Sequence, residues 1–409
     1  MAASLPSSPA RDTVTIRAPV GPAESGLPRA GGRVARHTAW NLAAVALPFA
    51  VGVLTIPVLT RELGPARFGL IGLAWAVLEY LAVFDAGLGR ATVHFVAREL
   101  RGAHGIPGRV VLLSLGMQTL LGALAGTALA LAAPWLADGV LQVPPELQEE
   151  TRRAFQVLGA TVPFVLLGLG LRGLLEAAER FDVVAAIRIP SSAATFVVPA
   201  VAALGGATVP QILLALLAVR AAACLATAIL VRRVVPRIHW RARGSWAQVR
   251  GVAAFGGWVA VSNVLSPVFL LFDRAALGVL AGVAAVGFYT GPYEAVARLL
   301  VLPAALVTAV FPRVSGTVGS DPAGARADGA LASLYLGTTR VLATALLGLV
   351  AAAVMLAPDL LQLWLGPEYA SRAGLAMRLL LVGVLVNAVS HVPFAFVQAL
   401  GRPDLTARF

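Results

Sequence analysis

No lysine occurs in this 409-residue chain; all 32 of its basic residues are arginine. The absence removes two chemistries at once. A phosphate-binding loop of the Walker type needs its lysine to reach the phosphates, and a Schiff base needs a lysine amine. Cysteine is nearly absent too. Cys224 stands alone inside an apolar run and reads as a small buried hydrophobe. Five histidines, at 37, 94, 104, 239 and 391, are scattered without ligand spacing, so no metal or cofactor is expected. Charge is scarce: 13% of residues are charged, about half the share in soluble domains.

What fills the chain instead is hydrocarbon. Hydrophobic residues make up 58% of it, and the mean hydropathy is +0.83. Runs of Ala, Leu, Val and Gly recur from residue 38 onward, each near the length that crosses a bilayer. The fold class is therefore all-α, a polytopic transmembrane helical protein. The net charge of +12 does not call for nucleic acid, because cytoplasmic loops of membrane proteins collect arginine. Residues 1–37, rich in Pro, Ser, Gly and Arg, lack the apolar run of a signal peptide and read as a disordered cytoplasmic tail.

Ten spans are expected: 38–60, 68–93, 110–133, 154–176, 183–204, 210–231, 251–272, 283–310, 331–357 and 373–400. Their connections alternate in charge. Arg98, Arg101 and Arg109, the segment 231–250, and Arg313 with Arg326 mark one side. Acids without bases, at 134–150 and 356–371, mark the other. Positive loops stay inside, which puts the amino terminus in the cytoplasm. Gly64–Pro65 and Gly366–Pro367 read as turns.

The chain also repeats itself. At a shift of 218 residues, Trp40 falls on Trp258, Gly64 on Gly282, Ala66 on Ala284 and Gly69 on Gly287, without a gap. A shift of 224 pairs Pro134 with Pro358, and one of 222 pairs Arg180 with Arg402 and Asp182 with Asp404. Six spans lie between equivalent points, so the halves are expected as parallel repeats related by an axis along the membrane normal. The division is a first lobe at 38–231, a basic inter-lobe cytoplasmic segment at 232–250 and a second lobe at 251–409. Two helices that follow Asp182 have no counterpart after Asp404, so the second lobe is expected to be truncated.

The stretches "WNLAAVALPFAVGVLTIPVLTRELGPARFG", "FDAGLGRAT", "FDRAALGVLAGVAAVGFYTGPYEAVARLLVLPAALVTAVFPRVS" and "LLQLWLGPEYA" resemble bacterial polysaccharide and lipid-linked oligosaccharide flippases. These belong to the multidrug/oligosaccharidyl-lipid/polysaccharide exporter superfamily. The resemblance implies two helical lobes around a central cavity, in the bacterial inner membrane. It implies alternating access that moves an undecaprenyl-diphosphate-linked glycan outward, with coupling to an ion gradient. The partners it implies are the lipid-linked oligosaccharide, the lipid bilayer, a monovalent cation or proton, and envelope glycan assembly enzymes.

A diphosphate crossing the bilayer calls for guanidinium groups, which bind it with forked hydrogen bonds. Arg90, Arg298, Arg340 and Arg378 are the candidates, with Tyr289 and Tyr293 for sugar rings. Asp85 or Glu294 is the candidate for the coupling ion. A structural reading stands beside this one. Arginines near span ends snorkel to the interface, while Asp85–Arg90 and Asp273–Arg274 are ion pairs that hold bends. Asn41 and Asn387 then act as interhelical glue. The competing functions are a multidrug exporter, which cavity acids would favour, and a membrane glycan polymerase or ligase. The second needs a large catalytic outer loop, and 134–153 carries acids, no His and no domain length, so no enzyme is expected.

Overall fold

The computed structural model describes residues 47–81, 106–235, 238–239, 268–307, 310, 314 and 325–399, all within one compact unit. We number its helices α1 Leu47–Leu81, α2 Gly108–Trp135, α3 Pro145–Ala177, α4 Phe181–Leu204 and α5 Val209–Val234. These are followed by α6 Val268–Leu280, α7 Val283–Val296, α8 Ala325–Met355, α9 Ala357–Leu365 and α10 Pro367–Ala399. The only strand pairing among the described residues is a two-residue parallel bridge, Ile106–Pro107 against Ile238–His239. Among the described residues, seven helices are long and apolar enough to cross a membrane: α1 to α5, α8 and α10. Their outer surface is greasy. Leu131 of α2 and Leu54 of α1, at 77% and 73% exposure, would be anomalous in water and are at home in lipid.

Several expected boundaries moved. The first two expected spans are joined, over their described part, in the helical run of α1. That run is bent at Gly64, whose φ of +68° lies in the left-handed region. α3 begins at Pro145, nine residues before its expected start at 154. The extra turns carry Glu146, Glu149 and Glu150, and acids are favoured at a helix amino terminus. The expected span 283–310 changes pitch at the 3-10 turn Ala297–Leu300. Pro303, just beyond, has no N–H to donate to the carbonyl four residues back. The connection expected at 356–371 holds a short helix, α9. Its Ala357, Leu361 and Leu365, spaced by four, are buried, so turn residues at both ends had disguised an amphipathic segment.

Small residues and caps set the packing. α5 starts with a capping box, in which the Thr208 N–H donates to Gln211 Oε1 at 2.8 Å. Glu150 reaches the same helix end from α3, accepting from the Val209 N–H at 2.9 Å while it pairs with Arg67 at 3.0 Å. One carboxylate thereby ties α1, α3 and α5. α2 and α3 approach at Gly126 and Gly159, where a Cβ on either would lie within 2.4 Å of the other's carbonyl oxygen.

α1 and α7 meet through residues that the repeat makes equivalent. A Cβ on Gly69 would sit 1.8 Å from the Val283 carbonyl oxygen, and one on Gly287 2.0 Å from that of Pro65. Pro65 and Val283 correspond at the shift of 218, as do Gly69 and Gly287, so the contact is reciprocal. Reciprocity of this kind is what a two-fold relation between two segments produces. The equivalent Gly64 and Gly282 both have positive φ, +68° and +86°, and both precede the contact by five residues. Gly69→Val is expected to lower the melting temperature sharply, since overpacking costs ~1–3 kcal/mol and more where only backbone can yield. Thermal unfolding in detergent checks this; a variant that melts with the parent would contradict the contact.

Candidate functional site

Where α1, α6 and α7 converge, an arginine is sealed from solvent. Arg274 is 0% exposed, the largest side chain to be fully buried among the described residues. A guanidinium cannot shed its charge, so burial obliges the protein to supply acceptors. Nη1 donates to the carbonyl of Gly72 at 2.9 Å and Nη2 to Glu294 Oε1 at 3.1 Å. Glu79 Oε2 lies 4.0 Å away, and the guanidinium sits 4.2 Å from the centroid of the Tyr293 ring. Gly72 makes this geometry available, because a Cβ there would stand 2.1 Å from Thr290 Oγ1 and hold α7 off.

Glu294, 5% exposed, is shared. Its second oxygen accepts from Arg298 Nη2 at 3.0 Å, one helical turn on. Arg298 in turn stacks near Phe196 of α4, 5.8 Å from the ring centroid. It borders a small void of about 10 Å³ with Gly52 and Trp364, whose indole N–H donates to the Val53 carbonyl at 2.7 Å. Asp273 completes the cluster by accepting from the Tyr289 hydroxyl and from the backbone N–H of Arg274 at 2.7 Å. Tyr289 and Tyr293 lie with centroids 5.8 Å apart.

Four residues singled out in the sequence are thus neighbours: Tyr289, Tyr293, Glu294 and Arg298. Arg340 on α8 and Arg378 on α10 are exposed, and no hydrogen bond or ion pair joins either to this cluster. Arg378 instead donates to the Val354 carbonyl at 3.1 Å, linking α10 to α8. Asp85, Arg90 and Asn41 lie outside the described residues. Asn387 is exposed on α10. In the cluster three carboxylates, Glu79, Asp273 and Glu294, accompany two guanidiniums, so a cationic surface is not what it presents.

The centre of the cluster, Arg274, was read from the sequence as the ion-pair partner of Asp273. Consecutive residues on a helix point in different directions. Here the guanidinium reaches Glu294 of α7 and the Gly72 carbonyl of α1, while the carboxylate turns to Tyr289, more than one turn before Glu294 on α7. That rule, with Glu294 as an acid on the next helix, was the signal available.

Removing one partner of a buried pair costs ~3–5 kcal/mol, whereas replacing both by apolar groups is often near neutral. Glu294→Leu is therefore expected to destabilise more than the double variant Arg274→Met with Glu294→Leu. Denaturation of the four proteins of this cycle checks it, and additive losses would refute the coupling.

Comparison with known proteins gives this geometry a context. Residues 34–318 match the family described as "Polysaccharide biosynthesis protein". A Shigella flexneri protein described as "Putative O-antigen transporter" is 28% identical over 381 residues, covering 91% of this chain and 87% of that one. Among solved structures, an inward-facing multidrug resistance MATE family transporter of the MOP superfamily superposes with a TM-score of 0.68 at 17% identity. The match covers 89% of this chain and 85% of that one. An outward-facing structure of such a transporter gives 0.59 at 19% identity, covering 89% and 83%. At those identities the likeness is one of fold, while the family match spans more than half of the sequence. The chain belongs to the polysaccharide biosynthesis protein family.

Proposed function

We propose that the protein is a flippase that carries a polysaccharide precursor, an oligosaccharide on a lipid diphosphate, across the bacterial inner membrane by alternating access. It is a multi-pass membrane protein, and the proposal adds an amino terminus in the cytoplasm and lobes at 38–231 and 251–409. The relation to an O-antigen transporter over nine-tenths of the chain supports the substrate class. The observation that carries the mechanism is the buried polar network at the contact between the repeated segments. Polar groups inside an apolar membrane protein are costly and mark a path for something polar. Arg274 holds Glu294 and the Gly72 carbonyl, so it links the two repeats. Arg298, partly exposed and bound to the same carboxylate, is the group that an incoming diphosphate can recruit. Arg90, Arg340 and Arg378 are further candidate partners for the substrate's diphosphate, apart from this cluster. Tyr293 and Tyr289 contribute ring faces for sugars, and Asp85 or Glu294 takes up a coupling proton or cation.

A second reading, export of organic cations, is favoured by the three carboxylates of the cluster, to which cations are attracted. The two readings separate in reconstituted vesicles. The parent is expected to translocate a fluorescent lipid-linked oligosaccharide and to leave ethidium untransported. Arg298→Ala is expected to slow glycan translocation roughly tenfold, the equivalent of one charge-assisted hydrogen bond. Ethidium export without glycan movement would replace the flippase reading with the other.

A further inference from the structure

Beyond the Gly69–Gly287 contact, the turn between α6 and α7 is gripped by a strap from the first half of the chain. The strap is the connection between α2 and α3, where a π turn at Leu136–Val140 leads into Leu141, Gln142, Val143 and Pro144. The Gln142 N–H donates to the Gly278 carbonyl at 3.0 Å, and the Gln142 carbonyl accepts from the Val283 N–H at 3.3 Å. Its side-chain Nε2 donates to the carbonyls of Val279 at 2.9 Å and Leu280 at 3.3 Å. Helix ends leave such groups without partners of their own. One residue of the first half thus caps the end of α6 and the start of α7.

The seat is shaped for it. Gly282, at φ +86° and ψ 167°, holds a conformation open essentially to glycine, and a Cβ there would stand 3.0 Å from the Gln142 carbonyl oxygen. Leu141 and Val143, on either side of Gln142, are buried, and a Cβ on Gly278 would lie 2.8 Å from Leu141 Cδ2. Arg152 of α3 donates to both oxygens of Asp138, at 3.2 and 2.6 Å, which fastens the strap to α3. The grip is one-sided. At the shift of 224, Gln142 falls on Gly366, which has no side chain to reach with. Gln142 itself is exposed, so water competes for its amide and the bonds are cheap to make and break.

We propose that Gln142 is a latch: its amide holds the two halves together on the side that the proposed orientation turns away from the cytoplasm, and it lets go whenever that side opens. The role rests on the flippase reading, which supplies the alternating access. Carbonyls at the end of a helix carry partial negative charge and favour a donor, so an amide suits the place and a carboxylate does not. Gln142 is a positioning residue. It shares no contact with the Arg274 cluster and sets how often the halves part, without touching what is carried.

The experiment measures distance across the latch by double electron–electron resonance, on the full chain in nanodiscs. Spin labels are attached through Gly139→Cys on the strap and Ala281→Cys at the turn, both exposed, in a Cys224→Ala background. The comparison is between Gln142 and the variants Gln142→Ala and Gln142→Glu. Because the side chain is exposed and the buried Leu141 and Val143 are untouched, both variants are expected to fold and to melt with the parent. Gln362→Ala, at an exposed position of α9, is the control.

Gln142→Ala is expected to raise the ratio of long to short distances roughly fivefold, the effect of one neutral hydrogen bond. Gln142→Glu is expected to raise it further, since a carboxylate then faces the carbonyls of Val279 and Leu280. Gln362→Ala is expected to leave it unchanged. Coincident distributions in the parent and both variants, or a Glu variant as closed as the parent, would overturn the latch. The transport reading fails on a different result. A parent that moves no lipid-linked glycan in vesicles would remove the cycle in which the latch acts, whatever the distances show. A parent that moves glycan while all three distributions coincide would remove the latch alone.

Discussion

A guanidinium enclosed by a membrane protein has no water to turn to, and its charge cannot be titrated away. At Arg274 that constraint organises the neighbourhood. Gly72 gives up its side chain so that a backbone carbonyl comes within 2.9 Å. Glu294 gives up nearly all its exposure, and Tyr293 places its ring at 4.2 Å. Because the acceptors for its Nη1 and Nη2 come from α1 and α7, holding Arg274 this way requires α1 and α7 to touch. The Gly69–Gly287 contact is the steric condition for that, and the arginine is the polar reason for it.

The same arrangement supplies a way to move. Two segments in reciprocal contact through bare glycine backbone can rotate about that point without unlocking large side chains. The ionic cluster beside it joins α1, α6 and α7, and under the proposed alternating access these are the interactions that would have to differ between arrangements. Arg298 sits at the rim of this cluster, one turn from Glu294, with its other face on Phe196 of α4. A ligand that draws Arg298 away changes what Glu294 holds, and Glu294 is hydrogen-bonded to Arg274.

Much of this was legible before any coordinates. Composition and run length gave the class, and α2, α4 and α5 start and end within a few residues of their expected spans. The repeat also pointed to one local contact. Gly64 and Gly282, paired by a shift of 218, share left-handed φ, and Gly69 and Gly287 turned out to touch. What the residues concealed was polar reach. Hydropathy counts apolar runs, so it set aside the acidic first turns of α3 and left α9 inside the connection at 356–371. It had no means of separating Arg274, wholly buried, from Arg340, exposed, since both interrupt apolar runs in the same way. Only the facing helix decides which arginine has partners.

The most direct test is a cryo-electron microscopy structure of the protein in lipid nanodiscs, at a resolution that shows side chains. It is expected to place Arg274 without water contacts, within hydrogen-bonding distance of Glu294 and the Gly72 carbonyl, beside backbone contact of Gly69 with Gly287. Density for Arg274 directed to lipid headgroups, with α1 and α7 separated by intervening side chains, would contradict the account.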